Sequence, residues 1–189
     1  IHVQGLTFSG DNPACPVPYT DHHYINYPYG YTGLQANNFN TCHIEDVIVN
    51  GIYGDGILIQ NGNSNNPSEF PTHTSNNNEA HIKHCMILNT WGLNEPGDNY
   101  GMAIIFNCLR NVTVEENYIL NRVNNNISMP SWLPPAMQVT EQFGMAGIVA
   151  QWCGSGNTIQ RNVIDGGYDR NIHLEANTHA ITVTKNRSI

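Results

Sequence analysis

One short pattern recurs six times along this chain and constrains its fold more than any other feature. Each copy has an apolar residue, two polar or small residues, a central residue, a variable position and usually another apolar residue. The copies are VQGLTFSG from Val3, IEDVIVNG from Ile44, IKHCMILN from Ile82, VEENYILN from Val114, IQRNVIDG from Ile159 and VTKNRSI from Val183. Units of variable length around a constant strand core predict a solenoid in which each unit stacks on its neighbours.

The central position of the pattern carries asparagine in the last three copies. From the first copy to the last, it is occupied by Leu6, Val47, Cys85, Asn117, Asn162 and Asn186. In a stack, the side-chain amides at one position can bond along the stacking direction. Because asparagine tolerates a bent backbone, we expect it to form the turn between two strands. The alternative, a β-sandwich of unrelated hairpins, requires turn signals about every 8–12 residues and does not explain the recurring asparagine.

A second strand pattern precedes most copies, as in GLQANN, GILIQN, AIIFNC, GIVAQW and NIHLEAN. Together the two patterns resemble the right-handed parallel β-helix of the pectate-lyase-like superfamily. The resemblance implies an all-β solenoid of about five to six coils. By this resemblance, these segments form the first sheet and the copies span the second and third sheets. The long loops are expected to leave the third sheet. The expected first-sheet strands are near 34–37, 57–60, 103–106, 147–151 and 171–175.

The resemblance is to the fold and does not extend to a particular activity. The tighter catalytic motifs of the pectate lyases and polygalacturonases are not found, and neither is the D-P-H-D run of the mannuronan epimerases. Residues 1–189 are expected to form one β-helix domain. Solenoid ends need polar caps, and neither end shows one, so we expect a piece of a longer solenoid. Open ends would also allow a homo-oligomer or a larger assembly.

Charge excludes several classes of partner. The formal net charge is −8 with only seven Lys plus Arg, which argues against nucleic acid and anionic membranes. No apolar run approaches the ~20 residues needed to span a bilayer, so membrane insertion is not expected.

Cofactor signals are weak. The five cysteines are widely spaced without a C-x-x-C pair, and buried thiols are the simplest interpretation. The adjacent His22 and His23 have no second ligand pair at zinc spacing. No cofactor is therefore expected, although Glu95, Asp98 and Asn99 leave calcium open through oxygen ligands.

Alternation along the first-sheet strands separates inward from outward side chains. The inward set is Ile57, Ile59, Ile104, Phe106, Ile148, Ala150, Ile172 and Leu174. One outward row, here called the polar row, is Asn37, Gln60, Asn107, Gln151 and Glu175. Amides offer paired donors and acceptors that match sugar hydroxyls, which favours a glycan-binding track. An ordinary solvated face is the alternative.

Long connections flank this row, and loops on a rigid scaffold often carry function. A tyrosine-rich segment lies between Ser9 and Thr32, a second segment holds Trp91, Asp98 and Tyr100, and a third holds Trp132 and Glu141. Aromatic rings can stack on sugar faces while acids bond sugar hydroxyls. Trp91, Tyr100, Asp98 and Glu141 are therefore predicted substrate-binding residues, with rings that plug the side of the solenoid as the alternative.

The densest ionisable cluster is DGGYDRNIHLE, from Asp165 to Glu175. Glu175 and His173 share one outward face, and Asp169 and Arg170 precede them. A carboxyl group near another acid can have a raised pKa and serve as a general acid, and glycoside hydrolysis needs two such groups.

The predicted catalytic residues are Glu175, His173, Asp169 and Asp55, with Arg170 binding substrate. Surface salt bridges are the competing explanation for this cluster.

The leading hypothesis is a carbohydrate-active β-helix, extracellular or surface-exposed, that binds and hydrolyses a polysaccharide. Lyases of the superfamily typically use Arg or Lys as a base, often with calcium. Both lysines, Lys83 and Lys185, fall on the copies and away from the polar row, which disfavours a lyase. The alternative hypothesis is a non-catalytic structural or adhesive solenoid, such as a spike, fibre or surface-filament segment.

Overall fold

The computed structural model describes residues 1–9, 31–52, 54–61, 78–90, 94–95, 98–99, 101–121, 144–166, 168–175 and 178–189. These ranges form strands and turns without a helix. In chain order the strands are β1 (His2–Gln4), β2 (Thr7–Ser9), β3 (Tyr31–Asn37), β4 (Thr41–Glu45), β5 (Ile48–Asn50), β6 (Gly54–Gln60), β7 (Glu79–Lys83), β8 (Met86–Leu88), β9 (Asn94–Glu95), β10 (Asp98–Asn99), β11 (Ile104–Asn107), β12 (Val112–Glu115), β13 (Tyr118–Asn121), β14 (Gly144–Gln151), β15 (Asn157–Gln160), β16 (Val163–Gly166), β17 (Tyr168–Glu175), β18 (Ile181–Thr184) and β19 (Arg187–Ser188). Within the described ranges there is no helix with the length and hydropathy needed to cross a membrane.

Three parallel sheets contain all the strands except β9 and β10, which form a small antiparallel pair. The first sheet is β3, β6, β11, β14 and β17; the second is β1, β4, β7, β12, β15 and β18; the third is β2, β5, β8, β13, β16 and β19. The chain visits the second, third and first sheets in that fixed order, and each sheet keeps its strands in chain order. The expected all-β class with parallel sheets is confirmed, and the arrangement is consistent with a parallel β-helix.

The first-sheet strands occupy the expected places. Four of them, β3, β6, β14 and β17, begin three residues earlier than expected. The long connections follow β2, β8 and β13 of the third sheet, as expected, and one further connection follows β6 of the first sheet.

A column of aliphatic side chains forms the centre of the second sheet. Ile44, Ile82, Val114 and Ile159 lie in register on β4, β7, β12 and β15, and each is 0 % exposed. Their neighbours along each strand face outward, since β4 and β7 alternate buried and half-exposed positions. Full burial of one such side chain stabilises the fold by about 1.5–3 kcal/mol.

The turn between the second and third sheets differs from the expectation. The left-handed residue is the one before the central position, as in Glu116 (φ 56°) and Arg161 (φ 56°), and Asn117 and Asn162 do not have positive φ. Asp46, His84 and Lys185 adopt the same conformation in their copies, and Gly5 (φ 67°) does so without strain. The left-handed residue bends the chain, and the asparagine that follows turns its amide inward.

The asparagine stack itself is confirmed. Nδ2 of Asn117 donates to Oδ1 of Asn162 at 2.9 Å, and Nδ2 of Asn162 donates to Oδ1 of Asn186 at 2.9 Å. Each acceptor oxygen also receives the backbone N–H of the preceding asparagine, at 3.1 and 3.0 Å. Asn117 and Asn162 are 2 % and 0 % exposed, so these bonds satisfy groups that water cannot reach. In the earlier copies Val47 and Cys85 are buried instead, and Leu6 is exposed.

A glycine in the first sheet changes the alternation of side chains. A Cβ on Gly56 would lie 2.5 Å from the carbonyl oxygen of Ala103 and 2.7 Å from Cγ2 of Ile87, so this position faces the core. The next residue, Ile57, is also a core residue, so two successive residues face the core. Alternation counted back from Gly56 then places Asp55 on the outer side of the sheet.

The expected inward set of the first sheet is only partly confirmed. The six residues on β6, β11 and β14 are all buried in the core, and Ile172 packs against it while half-buried. Leu174 is 46 % exposed, because β17 is an edge strand of the sheet.

Candidate functional site

The polar row is one line of side chains across the first sheet. Asn37 pairs with Gln60, Gln60 with Asn107, Asn107 with Gln151, and Gln151 with Glu175. Neighbouring members are therefore one strand apart, about 4.8 Å. The register brings these residues together, and their role in binding stays a prediction.

Exposure along the polar row is uneven. Asn37 is exposed, Gln60 and Gln151 are half-buried, and Asn107 is only 5 % exposed. Nε2 of Gln151 donates to Oε2 of Glu175 at 2.6 Å. Oδ1 of Asn107 is buried without a hydrogen-bond partner in the described part of the chain.

An apolar cluster also lies on the outer side of the first sheet. Met102, Ile105, Ala146 and Val149 are buried together, with Leu58 packed against them. Ile105 and Val149 alternate with the core residues of β11 and β14, which places them on the outer side. The outer side therefore carries an apolar row beside the polar row. Alternation along the strands predicts both rows, and the structure adds that Ile105 and Val149 are buried.

Asp55 is a buried carboxyl group beside this cluster. Its Oδ1 accepts the backbone N–H of Met102 at 3.2 Å. Burial raises the pKa of Asp55 to about 7, although the backbone N–H groups of Met102 and Gly101 partly stabilise the charged form. A substantial fraction of this carboxyl group is therefore protonated near neutral pH, as a general acid requires.

The predicted ionisable cluster around His173 and Glu175 lies on β17, at the Glu175 end of the polar row. Nη1 of Arg170 lies 3.5 Å from Nδ1 of His173, and that nitrogen lies 3.8 Å from Oε2 of Glu175. Asp169 lies on the same strand, and its side chain is outside the described part.

Asp55 and Glu175 lie on strands three places apart, since the sheet order is β17, β14, β11, β6. The strands are separated by about 14 Å, and Glu175 is in register with Gln60, which lies five residues after Asp55, so the two backbones are about 20 Å apart. Two carboxyl groups that hydrolyse a glycosidic bond lie about 5–10 Å apart. The structure does not bring this pair together for that mechanism.

Several predicted residues fall outside the described part of the chain. Trp91, Tyr100 and Glu141 belong to segments that are not described, as do His22, His23 and Trp132. Asp98 lies on β10 and Glu95 on β9, but their side chains are not described. The calcium hypothesis therefore stays a prediction.

The outer face of the second sheet carries an ion network that the sequence reasoning missed. Arg161 contacts both Glu115 and Glu116, and Glu115 also accepts hydrogen bonds from His81 and Gln160. Partial burial alone would raise the pKa of Glu115, but the hydrogen bonds of His81 and Gln160 and the charge of Arg161 lower it overall. Glu115 and Gln160 occupy one position of the aligned copies, and Glu116 and Arg161 occupy the next.

The described cysteines, Cys42, Cys85, Cys108 and Cys153, are buried and form no disulfide. Burial raises the pKa of Cys85 to about 11 and that of Cys153 to about 12. These thiols are therefore poor nucleophiles. Among the described side chains, no group of three or more His, Cys, Asp or Glu is placed to hold a metal ion.

Comparison with known proteins adds no family. No family model, curated protein or solved structure matches this chain. Its architecture therefore rests on its own strand order and register, and its site on its own side chains.

Proposed function

We propose that the three sheets are the faces of a right-handed parallel β-helix of about five to six coils and that a polysaccharide binds along the outer side of the first sheet. The fixed order of sheets and the parallel pairing of every unit support the helix. A right-handed sense follows from the rule that about 98 % of parallel crossover connections are right-handed.

The polar row carries the binding proposal. Its members repeat at one strand spacing in continuous register. Amide side chains present both donors and acceptors, and a polymer of sugars presents hydroxyls at repeated intervals. Because Asn107 is buried, the exposed Asn37 and the half-buried Gln60 and Gln151 are the members of the row that a glycan would contact. Such a protein would act outside the cell or on a cell surface.

Asp55 supports hydrolysis as the reaction. Its raised pKa suits protonation of a leaving oxygen near neutral pH. Glu175 lies too far away to be the second carboxylate of a hydrolase. We assign the role of base or nucleophile to Asp98 or Glu141. Lys83 lies on the second sheet and Lys185 directly follows it, away from the polar row, which supports hydrolysis over elimination.

A non-catalytic adhesive or structural solenoid is the second candidate. The observation that favours it is the bond between Asp55 and the N–H of Met102, since a carboxyl group that anchors backbone has a structural role without any catalysis. Binding along the polar row is common to both candidates, and only cleavage distinguishes them.

A glycan array followed by a reducing-end assay tests the proposal. We expect binding to a neutral polysaccharide that is weakened by Gln60→Ala in the polar row. Gln160→Ala is the matched control, because Gln160 lies on β15 of the second sheet. Binding without new reducing ends favours the adhesive candidate. Equal binding by both variants, or no glycan bound at all, contradicts the proposed site.

A further inference from the structure

Three histidines occupy one position of the repeat, directly before the first apolar residue of the first three copies. They are His2, His43 and His81. The register pairs His2 with His43 and His43 with His81, so the three side chains form one row on the second sheet. The ring centroids of each neighbouring pair are 6.2 Å apart. We call these residues the histidine row.

A carboxylate bonds one of these rings, and a second carboxylate lies near another. Nε2 of His81 lies 2.8 Å from Oε1 of Glu115, and Nδ1 of His43 lies 3.9 Å from Oε1 of Glu45. In metal sites, a ligating imidazole commonly donates its second ring N–H to a carboxylate, which orients the ring. In both residues the remaining nitrogen is left for another partner.

The fourth described histidine of this face differs in this respect. Nδ1 of His84 lies 3.7 Å from Asp46, and Nε2 lies 2.8 Å from Glu116. Both of its nitrogens face carboxylates, although His84 follows the same strand as His81. His84 is therefore a neighbouring histidine in which both ring nitrogens lie near carboxylates, so neither is left to bind a metal ion.

Charge and access suit a cation at the histidine row. The side chains of His43 and His81 are 32 % and 27 % exposed, so an ion can reach them. Carboxylates outnumber cations on the surrounding face, where Lys83 pairs with Glu45 at 3.3 Å and Arg161 pairs with Glu115 and Glu116. A tetrahedral ion with Zn–N bonds of about 2.0–2.1 Å places two ring centroids about 5 Å apart. Neighbouring rings, now at 6.2 Å, would therefore approach each other by about 1 Å to bind it.

We propose that the histidine row binds a divalent transition-metal ion of the zinc, nickel and copper class, with His43 as the shared ligand. Imidazole is a preferred ligand for these ions. Two imidazoles bind the ion and water fills the other positions. The histidine row lies on the second sheet, so the site is independent of the glycan-binding proposal on the first.

Calorimetric titration of the untagged protein with Zn²⁺ or Ni²⁺ alone tests this site. We expect one saturable ion, and His43→Thr should weaken its binding on the order of tenfold or more. Threonine is chosen because Thr113 and Thr158 occupy the same row on β12 and β15. This substitution should leave the fold intact, which the thermal transition checks.

The matched control is His84→Ala, which should bind the ion as the unchanged protein does. His2→Ala and His81→Ala should each weaken binding less than His43→Thr. The proposal is wrong if His43→Thr keeps the original affinity. It is also wrong if His84→Ala loses as much affinity as His43→Thr, because the ion would then be bound by surface histidines in general.

Discussion

The side-chain amide of Asn117 donates to the amide oxygen of Asn162 at 2.9 Å, although 45 residues separate them along the chain. The bond joins two neighbouring units, and both residues are buried. The stacking of units is therefore supported by side-chain hydrogen bonds as well as by the strand ladders.

Replacing the middle asparagine of this stack should destabilise the protein. Asn162→Leu removes the donor to Asn186 and the acceptor for Asn117, so buried amide groups lose their partners. We expect a loss of about 1–3 kcal/mol in the free energy of unfolding. Urea unfolding measures it, with Asn186→Leu as a control that should cost less because Asn186 bonds only one neighbouring asparagine. Unchanged stability would show that the amides are solvated.

Adding a methyl group at the first-sheet glycine should also destabilise the protein. In Gly56→Ala the new Cβ meets the Ala103 carbonyl oxygen at 2.5 Å and Ile87 at 2.7 Å. Such overpacking costs about 1–3 kcal/mol. Gly5→Ala is the control: it has φ +67° but nothing within 4 Å, so it reports the backbone strain alone. Equal losses in the two variants would argue against the close approach at Gly56.

Asp55 should make stability depend on pH between about 4 and 7. Its folded pKa is raised from 3.8 to about 7, so the folded state binds the proton more tightly than the unfolded chain. The stabilisation is fully present below pH 3.8 and is lost as the pH rises through 7. Asp55→Asn imitates the protonated form and should reduce the fall in unfolding free energy across this interval. A slope identical to that of the unchanged protein would mean that Asp55 is ionised in the folded state.

Glu175→Gln tests the charged end of the polar row. The amide keeps the shape of the side chain and removes the charge, while Gln151 retains an acceptor at this position. If Glu175 binds the glycan, affinity should fall by roughly 10–100-fold, as for the loss of a charged hydrogen bond, and turnover should fall with it. Titration of the bound polysaccharide and a reducing-end assay measure the two quantities. Full affinity with full turnover would make Glu175 a structural residue.

The repeat in the sequence was enough to predict the three parallel sheets and the asparagine stack. The same pattern occurs in every unit, and parallel stacking places equal positions of neighbouring units side by side. The polar row was predictable for the same reason, because alternation along Gly56–Gln60 and Ala103–Asn107 sorts side chains by face. The histidine row was visible too, since His2, His43 and His81 precede the same apolar position in their copies, but its significance depended on the ring contacts.

The sequence by itself determined which residues stack, because a repeat with a strand period specifies the register between units. Only the tertiary structure decided how deeply those residues are buried and how burial changes a pKa. The close approach at Gly56 places Asp55 on the outer side, and burial beside Met102 raises its pKa to about 7. Burial of Ile105 and Asn107 on the outer side was likewise decided by packing, because alternation specifies the side of a sheet and not whether that side is solvated. Desolvation depends on every neighbour in space, and a local pattern contains only the neighbours in sequence.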